Sequence, residues 1–506
     1  MYRFYRTITF INRWFNKPLV LILILGFLLR GIGLLLNKNL QFDEAVVWYT
    51  STSVSFFDLL SGKYSPFAHH PPLYYLFMHV WSRISDSEIW LRSPSLLAGV
   101  GSTYLIFLII KESGSSSKRK AIITTLLFST SSYHIFWSIQ ARVYEILIFF
   151  TLLYIYLFLE TIKKSGGILW YFLFITGIFI FFIDYSFFWA YLTIHAFYIT
   201  YLFIGKGVHL NIDSQINIKK SIKFWLLVNI PTLIIFIYLF FIIYHLNVRN
   251  LAPLRWINKP DFNSVISLLK LYISGYYYLV NYLAPSIKFL YSISLDILVT
   301  FILISSVKLL LKRDLFPIFL LFIPILCSFL ISQFIPIFID YHIMFASIGI
   351  ILVFGWGLFY FQKFSYLIVF LWLLTNFLFL NMNYKSASIE DWTTAALFLK
   401  NNTNETYKII FYPSFFNTPF YYYNKQFKIF TNEDYEIRST SLGQERKIIS
   451  NIYKSEINHC IIVRNIDIIQ RNKPLQRELQ NRYTLKSKEI SGIDIFCTQF
   501  FRRNFL

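Results

Sequence analysis

Long apolar runs alternate with short polar linkers from residue 18 to residue 382. About 20 consecutive apolar residues are enough to cross a bilayer as a helix. The pattern therefore predicts a polytopic α-helical membrane protein with about 11 transmembrane helices. The predicted spans are 18–36, 93–111, 121–138, 143–160, 168–184, 187–204, 223–245, 288–311, 315–338, 341–360 and 364–382.

One apolar segment, 71–84, is too short to be a span. At helical spacing its apolar and polar residues separate onto two faces, which is typical of an amphipathic helix lying at a membrane interface. The apolar face is Leu73, Leu76, Phe77, Val80 and Ile84, and the polar face is Tyr75, His79, Ser82 and Asp86. We therefore place this segment in a first outer loop, 37–92, with a second outer loop at 246–287.

Composition and charge agree with this topology. Hydrophobic residues make up 56% of the chain and charged residues only 14%, which excludes an ordinary soluble protein. The net charge is +21, and many of the basic residues lie in short loops between apolar runs, where positive charge marks the cytoplasmic face. No basic stripe typical of nucleic-acid binding is present. The chain is therefore predicted to lie in contact with membrane lipids, with the outer loops extracytoplasmic.

The last segment, 383–506, is polar and lacks a spanning run. Strand-like pieces at 408–412, 459–463 and 493–497 alternate with helix-like pieces at 389–399 and 442–452, which predicts a small extracytoplasmic α/β domain. We take 1–382 as the transmembrane catalytic domain and 383–506 as this second domain. Cys460 and Cys497 can pair if the second domain faces an oxidising compartment.

Asp43 and Glu44 follow the first apolar run. Two adjacent carboxylates at a membrane surface are costly to desolvate, so their presence needs a reason. One interpretation is that one of them is a general base that takes a proton from an acceptor hydroxyl. The alternative is a solvated acidic pair that caps the next helix, because Asp43 precedes a helical pattern.

Further polar residues lie near the same predicted membrane face. His69 and His70 precede Pro-Pro-Leu-Tyr-Tyr; adjacent histidines rarely bind one metal ion together, and a loop pair is the alternative. Arg92 opens the second span, and Arg142, followed by Tyr144, stands at the outer end of the fourth. Because positive charge there runs against the positive-inside rule, Arg142 indicates an anionic partner, with snorkelling towards headgroups as the alternative.

In their order along the chain these motifs resemble the GT-C glycosyltransferases. The resemblance is greatest to the group with the protein O-mannosyltransferases and the bacterial aminoarabinose transferase of lipid A. The shared order is Asp-Glu after the first span, HPPLYYL in the first outer loop, R-x-P-S at the second span and QAR-x-Y near the fourth. Glu390-Asp391-Trp392 also resembles bacterial members. The resemblance covers 18–400 and rests on this order rather than on one motif.

The resemblance implies an inverting transferase that moves a sugar from a polyprenyl-phosphate donor to an extracytoplasmic lipid, glycan or protein. Asp43 matches the catalytic base of the family, with Glu44 beside it. No cofactor is required, although a divalent metal is possible because some GT-C enzymes use one. Position assigns substrate binding to Arg142, Arg92, His70, Tyr144 and His342, with Lys259, Arg255 and Arg249 as further cationic candidates.

Two departures from the family pattern leave the acceptor class open. Ala68 stands where mannosyltransferases often carry an acidic residue, and Asp340-Tyr341-His342 stands where members often show Arg-Tyr. The alternative function is a lipid or solute flippase or transporter, which would place charges within spans and show internal repeats. A catalytically inactive scaffold of the same family is a third alternative.

Overall fold

The structure is a computed structural model that describes most residues of the chain. These are 17–36, 38–64, 70–113, 118–164, 167–204, 218–247, 257–275, 284–386, 390–402, 408–412, 417–428, 438–439, 459–464, 485–490 and 493–498.

Long apolar helices dominate the chain up to residue 385, in agreement with the hydropathy pattern. Five described helices are long and apolar enough to cross a membrane, and six shorter apolar helices accompany them. The protein is thus a polytopic helical membrane protein. Its helices before residue 386 are α1 (Lys17–Leu35), α2 (Phe42–Ser53), α3 (Phe56–Leu60), α4 (Pro72–Trp81), α5 (Glu88–Glu112), α6 (Lys118–Ser129), α7 (Ser132–Ser138), α8 (Tyr144–Lys164), α9 (Gly167–Ile183), α10 (Phe187–Ile204), α11 (Ile218–Asn247), α12 (Phe262–Ser274), α13 (Pro285–Leu311), α14 (Leu315–Ile331), α15 (Ala346–Tyr360) and α16 (Ser365–Lys385).

Each predicted span coincides with one of these helices except the third, at 121–138, which is broken into α6 and α7. The backbone is extended at Ser131, between the two helices. The main-chain N–H and the hydroxyl of Ser132 both donate to Asn376 Oδ1, at 2.7 and 2.8 Å. A buried polar side chain on α16 therefore satisfies the backbone that the break exposes.

Helices α14 and α15 pack closely because Gly349 has no side chain. A Cβ at this position would lie 2.3 Å from the main-chain N of Leu321 and 2.5 Å from the carbonyl carbon of Leu320. Small residues allow such close helix contacts in membrane proteins, where dispersion forces rather than water exclusion hold helices together.

The segment predicted as an interfacial amphipathic helix forms α4. Its polar side is the buried side, since Tyr75 and His79 are only 1% and 8% exposed. The apolar side is open instead, with Val80 57% and Ile84 67% exposed. An exposed apolar helix face is the arrangement that a membrane interface stabilises.

The described contacts divide the chain into two compact units, each made of several segments. The helical unit comprises Met1–Leu36, Phe57–Phe77 and Ile89–Lys385, and the mixed unit comprises Asn37–Phe56, Met78–Glu88 and Ser386–Leu506. The mixed unit thus contains α2 from the first predicted loop. The domain boundary at 382–383 stays a prediction.

The mixed unit contains helices α17 (Trp392–Asn402) and α18 (Thr418–Phe427) and a five-stranded sheet. Its strands are β1 (Lys408–Tyr412), β2 (Arg438–Ser439), β3 (His459–Arg464), β4 (Leu485–Ile490) and β5 (Ile493–Thr498). The order is β2-β1-β3-β5-β4, with parallel pairing of β1 to β2 and β3 and antiparallel pairing of β5 to β3 and β4. The three predicted strands are present, whereas the predicted helix at 442–452 lies outside the described residues.

Cys460 on β3 and Cys497 on β5 form a disulfide. The two residues are direct partners in the antiparallel register, and both side chains are buried. Direct cross-strand partners bring their Cβ atoms close enough to be bridged. The third cysteine, Cys327, is a free thiol on α14.

Candidate active site

Asp43 and Glu44 occupy the first turn of α2, but their environments differ. The Glu44 carboxylate turns back and accepts the main-chain N–H of Gln41 at 3.0 Å, and the side chain is only 1% exposed. This contact supplies an acceptor for an N–H group at the helix start that no helical carbonyl can reach. Asp43 is exposed. Of the two carboxylates, Asp43 is the one that a substrate hydroxyl can reach.

The Glu390-Asp391-Trp392 motif holds the segment before α2. Glu390 Oε2 accepts the main-chain N–H of Phe42 at 3.0 Å and the indole N–H of Trp392 at 3.2 Å. Asp391 Oδ1 accepts the side-chain amide of Asn39 at 2.8 Å. The Glu390-Asp391-Trp392 motif therefore fixes the backbone of the segment that leads to Asp43.

A second set of contacts in the mixed unit fastens α2 to α18. The Trp48 indole N–H donates to Asp86 Oδ1 at 2.9 Å, and Lys425 forms an ion pair with Asp86 Oδ2 at 2.5 Å. Trp48 also packs edge-to-face on Tyr422, with ring centroids 5.0 Å apart. Because α2 is held at its start and along its length, Asp43 projects from a rigid helix.

Replacing Glu390 with Ala is expected to destabilise the segment before α2. The main-chain N–H of Phe42 and the indole of Trp392 would both lose this acceptor, which costs about 1–3 kcal/mol for a buried donor. Hydrogen exchange at Phe42 should accelerate, and the midpoint of thermal unfolding should fall. Glu390→Gln is the matched control, since its amide oxygen can still accept. Equal exchange at Phe42 in Glu390→Ala and in the wild type would contradict the proposed contact.

In the helical unit, His70 and Asp184 form a close pair. His70 Nδ1 lies 2.6 Å from Asp184 Oδ2, and the side chains are 14% and 4% exposed. Asp184 stands in the turn between α9 and α10, outside both helices. Burial alone would raise the pKa of the Asp184 carboxyl, but the hydrogen bond and charge of His70, together with hydrogen bonds from Ser186, lower it below its usual value.

Tyr144 and Arg142 lie next to this pair. The Tyr144 ring packs edge-to-face on His70, with centroids 5.7 Å apart. The Arg142 guanidinium donates to the Tyr144 hydroxyl at 2.8 Å, and the Arg142 carbonyl accepts the Ser95 hydroxyl at 3.1 Å. The structure therefore brings three of the predicted substrate-binding residues into one cluster that combines a cation, an imidazole and a phenol.

His342 lies on a short 3-10 turn, Asp340–His342, that precedes α15. Its neighbour Tyr341 packs against Tyr144, with centroids 5.0 Å apart, which connects the turn to the cluster. Burial lowers the pKa of His342 to about 4. At neutral pH the imidazole is therefore uncharged, and its contribution to substrate binding would be a neutral hydrogen bond.

Tyr341 and His342 also line a small cavity of about 10 Å³ in the helical unit, which has room for about one water molecule. The other lining residues come from α8, from α10 and the residue before it, and from the turn before α15, and most are apolar: Leu147, Ile148, Thr151, Ser186, Phe187, Ala190, Met344 and Phe345.

The remaining candidates are spread along the chain. Arg92 is a buried residue near the start of α5. Lys259 is exposed before α12, while Arg249 and Arg255 lie outside the described residues. Within the part of the chain that the structure describes, no three His, Cys, Asp or Glu side chains are grouped so that they could hold a metal ion.

Asp184 belongs to none of the sequence motifs that predict the candidate active site. The sequence shows it only as a single carboxylate between two apolar runs. An ionisable residue at the end of a span is a functional candidate by itself. Its pairing with His70, 114 positions away, depends on the tertiary fold.

Comparison with solved structures shows a shared fold. The chain is similar to ArnT from Cupriavidus metallidurans in the apo state (TM-score 0.56, 10% identity) and bound to undecaprenyl phosphate (TM-score 0.53, 8% identity), with 94% of this chain and 97% of that chain covered in both. It is also similar to the archaeal oligosaccharyltransferase AglB from Archaeoglobus fulgidus in complex with an inhibitory peptide and a dolichol-phosphate (TM-score 0.52, 11% identity, 96% of this chain and 75% of that chain).

No protein-family model and no curated protein matches the chain. The solved structures nevertheless show that the chain shares the fold of ArnT and AglB, in agreement with the resemblance that the motif order predicts. At identities of 8–11% the likeness concerns the fold, so the sugar, the acceptor and the roles of individual residues follow only as proposals.

Proposed function

We propose that this protein is an inverting glycosyltransferase that moves a sugar from a polyprenyl-phosphate donor to a lipid, glycan or protein acceptor. The observation that carries the proposal is the near-full-length fold similarity to two proteins whose structures contain a polyprenyl phosphate, undecaprenyl phosphate in ArnT and dolichol-phosphate in AglB. A shared fold alone hosts many functions. The exposed Asp43 and the polar cluster around His70 supply the groups that this chemistry needs.

In the proposed reaction Asp43 is the general base. The acceptor oxygen attacks the anomeric carbon while its proton passes to the Asp43 carboxylate, and the bond from that carbon to the phosphate oxygen breaks. Phosphate leaves without protonation, so the second requirement is stabilisation of its charge by cations and hydrogen-bond donors. Arg142, Tyr144 and His70 are proposed for this role, and Arg92 and His342 for substrate binding. The proposed reaction requires no cofactor.

The proposed orientation places the first loop and the sheet outside the cell, at a bacterial inner membrane. The basic loops assigned to the cytoplasmic side support this orientation. The disulfide between Cys460 and Cys497 supports it independently, because structural disulfides are rare in the reducing cytoplasm of mesophiles.

Sugar transfer from synthetic polyprenyl-phosphate sugars by the purified protein tests the proposal. We expect release of polyprenyl phosphate in step with a glycosylated acceptor, when lipid, glycan and peptide acceptors are supplied in turn. A parallel assay should follow movement of labelled polyprenyl-phosphate sugar across liposomes containing the same preparation. Movement across the liposome membrane without transfer to any acceptor would favour the flippase function instead. EDTA is expected to leave transfer unchanged.

A further inference from the structure

The two carboxylate oxygens of Asp184 contact different groups. Oδ1 accepts the main-chain N–H of Ser186 at 2.7 Å and so belongs to the turn that starts α10. Oδ2 lies 2.6 Å from His70 Nδ1. A carboxylate fixed through one oxygen has its other oxygen fixed in direction as well, and it can therefore orient a neighbouring imidazole ring.

The protonation of the pair follows from the ionised state of Asp184. Because the pKa of its carboxyl is lowered, Asp184 is an acceptor at neutral pH, and the short contact requires a hydrogen on His70 Nδ1. The carbonyl oxygen of His70 accepts the Tyr64 hydroxyl at 2.7 Å, which fixes the backbone of the residue as well. Nε2 is then the ring nitrogen through which His70 can act on a ligand.

The surroundings of His70 suit an anion. Tyr144 packs on the imidazole, and the Arg142 guanidinium is hydrogen-bonded to the Tyr144 hydroxyl. Ser186, whose N–H holds Asp184, lines the apolar cavity together with Tyr341 and His342. Arg142, Tyr144 and His70 thus place several hydrogen-bond donors together, which suits an anionic group.

We propose that Asp184 is a positioning residue that orients His70, so that with the polyprenyl-phosphate donor bound Nδ1–H donates to Asp184 and Nε2–H donates to a phosphate oxygen. This inference rests on the proposed function and names a further determinant of its donor site. When the anomeric carbon–oxygen bond breaks, its electron pair stays on the phosphate oxygen and the acceptor proton goes to Asp43. His70 stabilises the departing phosphate through the hydrogen bond from Nε2–H.

Binding of undecaprenyl phosphate and of undecaprenol, measured by native mass spectrometry of the full-length protein in detergent, tests the proposal. In Asp184→Asn the amide oxygen can still accept from Ser186, while the negative charge beside His70 is lost. Charge-assisted hydrogen bonds are roughly twice as strong as neutral ones, so we expect affinity for undecaprenyl phosphate to fall about tenfold. Affinity for undecaprenol, which lacks the phosphate, should not change.

A double variant shows whether Asp184 acts through His70. His70→Gln alone should produce the same selective loss of phosphate affinity, and adding Asp184→Asn to His70→Gln should cause little further loss. Equal loss of affinity for both lipids would mean a structural role and would overturn the proposal. An undiminished affinity of His70→Gln for undecaprenyl phosphate would overturn it too, even if Asp184→Asn failed to fold.

The positioning role of Asp184 and the proposed transferase function can fail independently of each other. If the wild type binds undecaprenyl phosphate with the expected dependence on Asp184 and His70 but transfers no sugar, the transferase proposal fails and the phosphate site stands. If sugar transfer proceeds with the same KM for the donor in Asp184→Asn as in the wild type, the positioning role fails and the transferase proposal stands.

Discussion

Replacing Asp43 with Asn is expected to lower kcat for sugar transfer by about 10²–10⁴-fold, the usual contribution of a general base. Asparagine has nearly the same shape but cannot take the acceptor proton. The donor should still bind, because the cationic and polar residues proposed to hold the phosphate are unchanged. The measurement is steady-state transfer from a polyprenyl-phosphate sugar, with donor affinity determined separately.

Two further variants test the assignment of the base within the first loop. Asp58→Asn, which makes the same chemical change elsewhere in this loop, is the matched control and should leave kcat within about twofold. In Glu44→Gln the amide oxygen can still accept the N–H of Gln41, so the start of α2 should be retained and the loss should be far smaller than in Asp43→Asn. A larger loss in Glu44→Gln than in Asp43→Asn would transfer the role of base to Glu44.

The hydropathy pattern predicts the helical framework well because a bilayer allows few alternatives. A backbone in hydrocarbon must satisfy its own hydrogen bonds, so a long apolar run becomes a helix. The bounds are less predictable where polar side chains compete. The span predicted at 121–138 breaks at Ser131, next to the contact of Ser132 with Asn376, and the span predicted from 341 begins at Ala346 after the turn that contains His342.

The sequence predicts which residues belong to the candidate site, but only some of the contacts between them. Motif order points to His70, Arg142 and Tyr144, which the fold brings together. Local sequence does not show that His70 pairs with Asp184, because that contact joins distant segments. Local sequence also does not show that Glu44 turns back to Gln41 while Asp43 stays exposed. Two adjacent carboxylates differ in environment only because of their positions in the first turn of the helix.

Arg30 is a further residue whose role hydropathy alone does not reveal, since it lies inside the first apolar run. Its side chain is fully buried. Nε donates to the Ser138 hydroxyl at 3.0 Å, and Nη1 donates to the carbonyl of Ser129 at 3.2 Å. Gly99 leaves room for the guanidinium, because a Cβ there would lie 2.6 Å from Arg30 Nε. A charge so enclosed in a membrane helix is retained only with compensating partners.

The compensating negative charge is that of Glu145, which is also fully buried and lies close enough to interact electrostatically with Arg30. Glu145 Oε2 lies 3.2 Å from His134 Nδ1, and His134 Nε2 lies 3.0 Å from the Ser347 hydroxyl. The buried polar groups thus join α1, α7, α8 and α15. Arg30 Nη2 and Glu145 Oε1 are both buried without a hydrogen-bond partner among the described residues.

Replacing Arg30 with Met is therefore expected to reduce the free energy of unfolding by about 3–5 kcal/mol, the cost of leaving one member of a buried charge pair uncompensated. Reversible unfolding in mixed detergent micelles measures this change. Leu28→Met, at a lipid-exposed position of the same helix, is the matched control and should change stability by less than about 1 kcal/mol. In Arg30→Met/Glu145→Gln both charges are absent, so the loss should be smaller than the sum of the two single losses. Additive losses, or an Arg30→Met variant as stable as Leu28→Met, would show that the two charges do not stabilise each other.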